Sequence, residues 1–146
     1  MARIEAGQLA YELDEAREAI GIWETAAAEL PPDSALRGVV LERIAMAYEK
    51  LGNWSEAARN HEVAAEIETF PMRHWAQVEA ARCYAEAGEW ETAEARYRAL
   101  REAVPELEFP PYLSAVFEET RREVPSEHSA VESESASDPA ATPTQP

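Results

Sequence analysis

Apolar positions recur along this chain at helical rather than strand-like spacing. In the stretch 35–51, Val40, Leu41, Ile44 and Tyr48 fall on one side of a 3.6-residue period. Pro31 and Pro32 precede that stretch, Ser34 is placed to cap it, and Gly52 ends it. A second helix follows, with Asn53 and Ser55 at its start and Ser55 as the expected cap. It carries Ala57, His61, Ala64 and Ala65 on one side, with Ala58 one residue around. It ends before Phe70, because Pro71 disfavours helix at the preceding residue. No run of alternating β-branched residues reads as a strand.

The same plan returns. "GNWSEAARNHEVAA" begins at residue 52 and "GEWETAEARYRALR" at residue 88, an offset of 36 that aligns Gly52 with Gly88, Trp54 with Trp90, Ala57 with Ala93 and His61 with Tyr97. A weaker copy, "DEAREAIGIWETAA", begins at residue 14 and places Asp14 on the glycine, Ala19 on the alanine and Trp23 on the ring. A period in this range marks a stack of helical hairpins. A small residue at one fixed place in each second helix lets paired helices approach closely, and the ring four residues later fills the next gap. One hairpin cannot bury its apolar face alone, so the units must stack. The expected fold is all-α: an α-solenoid of about three helix-turn-helix repeats, over 2–33, 34–71 and 72–105. Residues 110–122, with Tyr112, Leu113, Val116 and Phe117 on one stripe, are expected to form a capping helix that completes a domain over 1–122. Residues 123–146, rich in Ser, Glu, Ala and Pro, are expected to be a disordered acidic tail.

These copies resemble tetratricopeptide repeats. The resemblance rests on Ala45, Tyr48, Gly52, Trp54, Ala57 and His61 in the middle copy. In the last it rests on Ala81, Tyr84, Gly88, Trp90, Ala93, Tyr97 and Pro105. The first copy keeps Gly7, Ala19, Trp23 and Pro31, but has Ala10 where tyrosine is usual and Asp14 where glycine is usual. The resemblance implies a concave groove lined by the first helix of each pair. The groove-facing candidates are then Gln8 and Tyr11; Val39, Glu42, Met46 and Glu49; and Trp75, Val78 and Arg82. Members of the family that grip a C-terminal carboxylate do so with lysines and asparagines. The matching places here hold Ile4, Glu42 and Val78, or Gln8, Met46 and Arg82, so that clamp is missing. The resemblance implies a non-catalytic adaptor for a protein or peptide segment. The mixed groove suits an apolar or basic one. The stretch from Glu68 to Leu100 is also similar to repeat domains of membrane-anchored bacterial proteins that assist the Sec translocon and periplasmic chaperones. That similarity implies a periplasmic setting if an anchor lies upstream, and a cytoplasmic one otherwise.

Charge narrows the partners. The 146 residues hold 29 acids against 13 bases, a net charge of −16, and every base but Lys50 is an arginine. Such a chain is repelled by nucleic acid and by anionic membrane surfaces. No apolar run approaches the ~18 residues that span a bilayer.

Candidate chemistry is sparse. The lone Cys83 excludes an internal disulfide, no cysteine-built metal site is expected, and it reads as a small core residue. "HEVAAE" at 61–66 approaches the zinc-protease pattern, but Ala65 stands where the second histidine is needed. His61 is therefore expected to pack in the repeated aromatic slot. There is no glycine-rich phosphate loop and no local nucleophile motif, so neither cofactor nor metal nor catalysis is expected.

Overall fold

A computed structural model describes residues 1–107 and the isolated positions 111 and 115. Six helices run in order: α1 Ala2–Glu12, α2 Ala16–Glu29, α3 Ala35–Lys50, α4 Trp54–Ala65, α5 Arg73–Glu86 and α6 Trp90–Ala103. Each packs mainly on its neighbours in sequence, and α3 also touches α5. The described residues form no strand. The result is an all-α solenoid of three helical hairpins. The expected capping helix at 110–122 lies outside the described residues except at 111 and 115, both helical, and the expected tail at 123–146 lies wholly outside them.

The three hairpin turns share one hydrogen-bond pattern. After α3, the Gly52 N–H donates to the Glu49 carbonyl and the Asn53 N–H to the Tyr48 carbonyl. After α5, Gly88 donates to Ala85 and Glu89 to Tyr84; after α1, Asp14 donates to Tyr11 and Glu15 to Ala10. This paired closure satisfies the orphan carbonyls of a helix end and needs a left-handed residue just past the cap. Gly52 and Gly88 supply it at φ 73° and 79°, and Asp14 adopts it at φ 69° without being a glycine. The next residue in each turn, Glu15, Asn53 or Glu89, is then the N-cap of the following helix. Its carbonyl accepts the N–H of Ala19, Ala57 or Ala93. The alanine repeat is thus phased by the turn, and all three alanines are fully buried.

Three details differ from the sequence expectation. Ser55 caps nothing: α4 begins at Trp54 behind Asn53, and the Ser55 hydroxyl instead donates to Glu89 Oε1 at 2.6 Å, linking two turns. Ser34 does occupy the N-cap of α3 with extended backbone, yet its side chain makes no capping bond. Ala58 is not on an outer flank but is buried as completely as Ala57, in a cluster with Cys83, Tyr84, Ala85 and Ala93. The reason is that α4 is sandwiched between α3 and α5 and so buries two adjacent flanks.

Close approach is enforced elsewhere by glycine. A Cβ on Gly7 would collide with the indole of Trp23, and one on Gly38 would lie 2.5 Å from Phe70 Cγ. Trp23 is buried and its Nε1 donates to the Ile4 carbonyl at 3.1 Å. Phe70 is drawn in from the turn after α4 to cover α3.

Two outcomes follow for stability. Gly52→Ala meets no atom within 4 Å, so its cost is backbone strain alone, about 1 kcal/mol or more. Asp14→Gly relieves the same strain and should be neutral to stabilising, as read by thermal melting. Ala57→Leu, Ala58→Leu and Ala93→Leu should each cost about 1–3 kcal/mol by overpacking. A mild effect at Ala58 alone would show that α4 does not sit between both neighbours.

Candidate binding face and its ion-pair network

The candidate side chains come from three first helices. On α3, Val39, Glu42, Met46 and Glu49 follow each other by three or four residues and therefore share a face. On α5, Trp75, Val78 and Arg82 do the same, and on α1, Gln8 and Tyr11. Val39, Met46 and Trp75 are 38%, 51% and 37% exposed, large apolar groups left open to solvent.

Val78 does not join them. It is 1% exposed and packs with Leu100, Val104 and Leu107, so it is core of the last hairpin and offers no surface to a ligand. Tyr11 is half-buried, with its ring tilted against Trp23 at 5.8 Å and beneath the Lys50 ammonium at 4.7 Å. Gln8 accepts from Arg43 at 2.8 Å and donates to Glu12 at 2.9 Å. These two residues brace the first hairpin against α3.

The polar candidates converge on His61 of α4, which sequence placed in an aromatic packing slot. It does fill that slot, at 2% exposure, but not as an inert ring. Nδ1 lies 2.8 Å from Glu42 Oε1 and Nε2 lies 3.0 Å from Glu49 Oε1. Each carboxylate only accepts, so both ring nitrogens carry protons and the ring is an imidazolium. Arg82 extends the chain: its Nη2 donates to Glu49 Oε2 at 2.5 Å, and its Nε to Glu79 Oε2 at 2.7 Å. The guanidinium also stands 5.9 Å from the Trp54 ring centre. The Cys83 thiol completes the cluster, with Glu49, His61 and Cys83 offering atoms within 4.8 Å of one another. Glu42 and Glu49 are therefore not free carboxylates facing a ligand, nor is Arg82 a free cation.

A recess of about 390 Å³ lies elsewhere, floored by Ala65, Ala80 and Ala99 between α4, α5 and α6, and none of the candidate residues lines it.

Residues 75–106 match the family model described as tetratricopeptide repeat. That span covers most of α5 and α6, the turn that carries Gly88, and the close of the last hairpin. The two hairpins before it repeat its turn geometry and its buried alanine. The last hairpin is a tetratricopeptide repeat. No curated protein matches the chain. Tetratricopeptide repeats bind proteins or peptides, and the match supports a protein–protein interaction module. The match concerns the repeat itself and carries nothing about the Sec translocon. Among the described residues, no helix is long and apolar enough to cross a membrane.

The buried network between the second and third hairpins shifts its members strongly. Burial alone would lower the pKa of His61. Its contacts with Cys83, Glu42 and Glu49 outweigh that and raise the pKa from 6.5 to about 11. Burial would raise Glu49, but donors on His61 and Arg82 hold it near 2 instead of 4.5. Burial pushes the Cys83 thiol up, which keeps it protonated at neutral pH. The imidazolium's contribution to stability is complete below pH 6.5. It drains as pH climbs toward 11, because the unfolded chain gives up that proton first. The Glu49 contribution is present above pH 4.5 and is lost as pH falls toward 2. Both are whole only between about pH 4.5 and 6.5. The melting temperature should therefore fall between about pH 6.5 and 9.5, and His61→Phe should not show that fall. Identical slopes in the two proteins would remove His61 from the account.

Proposed function

We propose that the face formed by α3 and α5 holds an extended or helical segment of a partner protein, anchored on Val39, Met46 and Trp75. The observation that supports this most is the exposure of three large apolar side chains beside polar neighbours that already have partners. A tryptophan left more than a third exposed loses water contact only when something covers it. Large aromatic groups are also the usual energetic anchors of interfaces. Met46 adds a flexible, polarizable contact that adapts to different partner side chains.

Charge preference comes from the chain as a whole, because Glu42, Glu49 and Glu79 are held by His61 and Arg82. The whole chain carries −16. An apolar segment with neutral or basic flanks fits this field and an acidic one is repelled. Recognition then rests on apolar burial, and charge acts mainly on the rate of encounter and on rejection of wrong partners.

Selection of random peptides by the full chain tests the proposal. Enriched peptides should carry an apolar or aromatic anchor and no acidic flank. Trp75→Ala and Met46→Ser should each weaken them roughly tenfold or more, as for an interface anchor. Trp75→Ala should cost only about 1–2 kcal/mol of stability, less than the 3–5 of a core tryptophan. Peptides that are acidic, or that bind both variants as well as the parent, would overturn the reading.

A further inference from the structure

We propose that Glu49, His61 and Cys83 form a zinc site that ties the second hairpin to the third, with Glu42 and Arg82 holding two of the ligands in place. The ligands come from α3, α4 and α5 and meet inside the protein, where their atoms lie within 4.8 Å of one another. Zinc takes nitrogen, sulfur and carboxylate oxygen at about 2.0–2.3 Å in a tetrahedron, which sets ligand atoms about 3.3–3.8 Å apart. His61 Nε2 and Glu49 Oε1 are 3.0 Å apart and no ligand atom is more than 4.8 Å from another, so closure asks for adjustments of about 1 Å. The fourth position is left to water. The mixture of one thiolate, one imidazole and one carboxylate selects a borderline-soft ion rather than calcium or magnesium.

The surroundings are arranged as they are around histidine ligands. Glu42 Oε1 accepts from His61 Nδ1 at 2.8 Å, which orients the ring and leaves Nε2 as the coordinating atom. Arg82 holds Glu49 by Oε2, so Oε1 is the oxygen turned toward His61. Cys83 is completely buried, and its thiol faces this cluster. A packing role for a small residue at that position needs no sulfur. Entry is open at the Glu49 and Arg82 side, where about a fifth of each side chain is exposed.

The exchange balances. Zinc enters as two protons leave, one from His61 Nε2 and one from the Cys83 sulfur. No electron moves, and the net charge of the cluster is unchanged. The His61–Glu42 bond survives, and the His61–Glu49 bond is replaced by two bonds to the metal. Low pH opposes binding because both protons must be lost.

Chelator-treated full-length protein titrated with zinc should bind one equivalent, release about two protons per metal and melt at a higher temperature. Cobalt used as the probe should give the intense near-ultraviolet band of a thiolate ligand and the visible spectrum of a tetrahedral site. Cys83→Ala should abolish the band and the zinc-induced rise in melting temperature while the metal-free protein still folds. Glu42→Gln should weaken zinc about 10- to 100-fold and keep the band, as expected of a group that orients a ligand. No saturable zinc binding overturns the proposal. So does binding that Cys83→Ala leaves unchanged, since that is the signature of exposed carboxylates.

Discussion

A single backbone conformation organises this solenoid. The second residue after each first helix turns left-handed, at Asp14, Gly52 and Gly88. The two hydrogen bonds that this turn permits fix where the second helix starts. Five residues past the left-handed one comes a buried alanine, and the helices can close on each other there. Repetition of this turn makes the first helices line up on one side, and that alignment leaves a face of first-helix side chains. At Asp14 the cost of the conformation is borne by an acidic residue, which Lys50 reaches at 2.6 Å across the hairpins.

The core built this way is mostly alanine, with few large side chains. Such a core holds its helices close but buries little area per residue, so the few large groups matter more. Trp23 and Phe70 fit only because Gly7 and Gly38 oppose them. His61 occupies the equivalent place in the middle hairpin, and there the structure departs from an apolar slot. An imidazolium clamped between two carboxylates joins α3 to α4, and Arg82 carries the connection on to α5. A buried charge is tolerated only when fully partnered, and both ring nitrogens are. The arrangement adds a buried ionic link to the apolar packing between the second and third hairpins.

The network also decides what the face presents. Its charged groups are spent on one another, so the apolar side chains between them are what the face leaves open to solvent. Val39, Met46 and Trp75 stand exposed, while Val78, three residues after Trp75, turns inward onto Leu100. Residues three apart lie about 60° apart around a helix, so Val78 sits at the edge of the shared face, and there α6 covers it.

The sequence by itself determined the helices, their pairing and the turns, because glycine, proline and a 36-residue alanine period act over a few residues each. It also determined which positions belong to first helices, and hence that Gln8, Tyr11, Glu42, Glu49 and Arg82 lie on related faces. Tertiary structure alone decided which of these are spent and which are open. Nothing local in "HEVAAE" shows that His61 will meet Glu42 and Glu49 from one helix and Cys83 from another. Nor does the chain mark Ala58 and Val78 as core, because each is buried by a helix distant in sequence. Helical period assigns a side chain to a face. Whether that face ends against solvent, a charge or another helix depends on how the hairpins stack, and that is fixed by packing between units rather than within them.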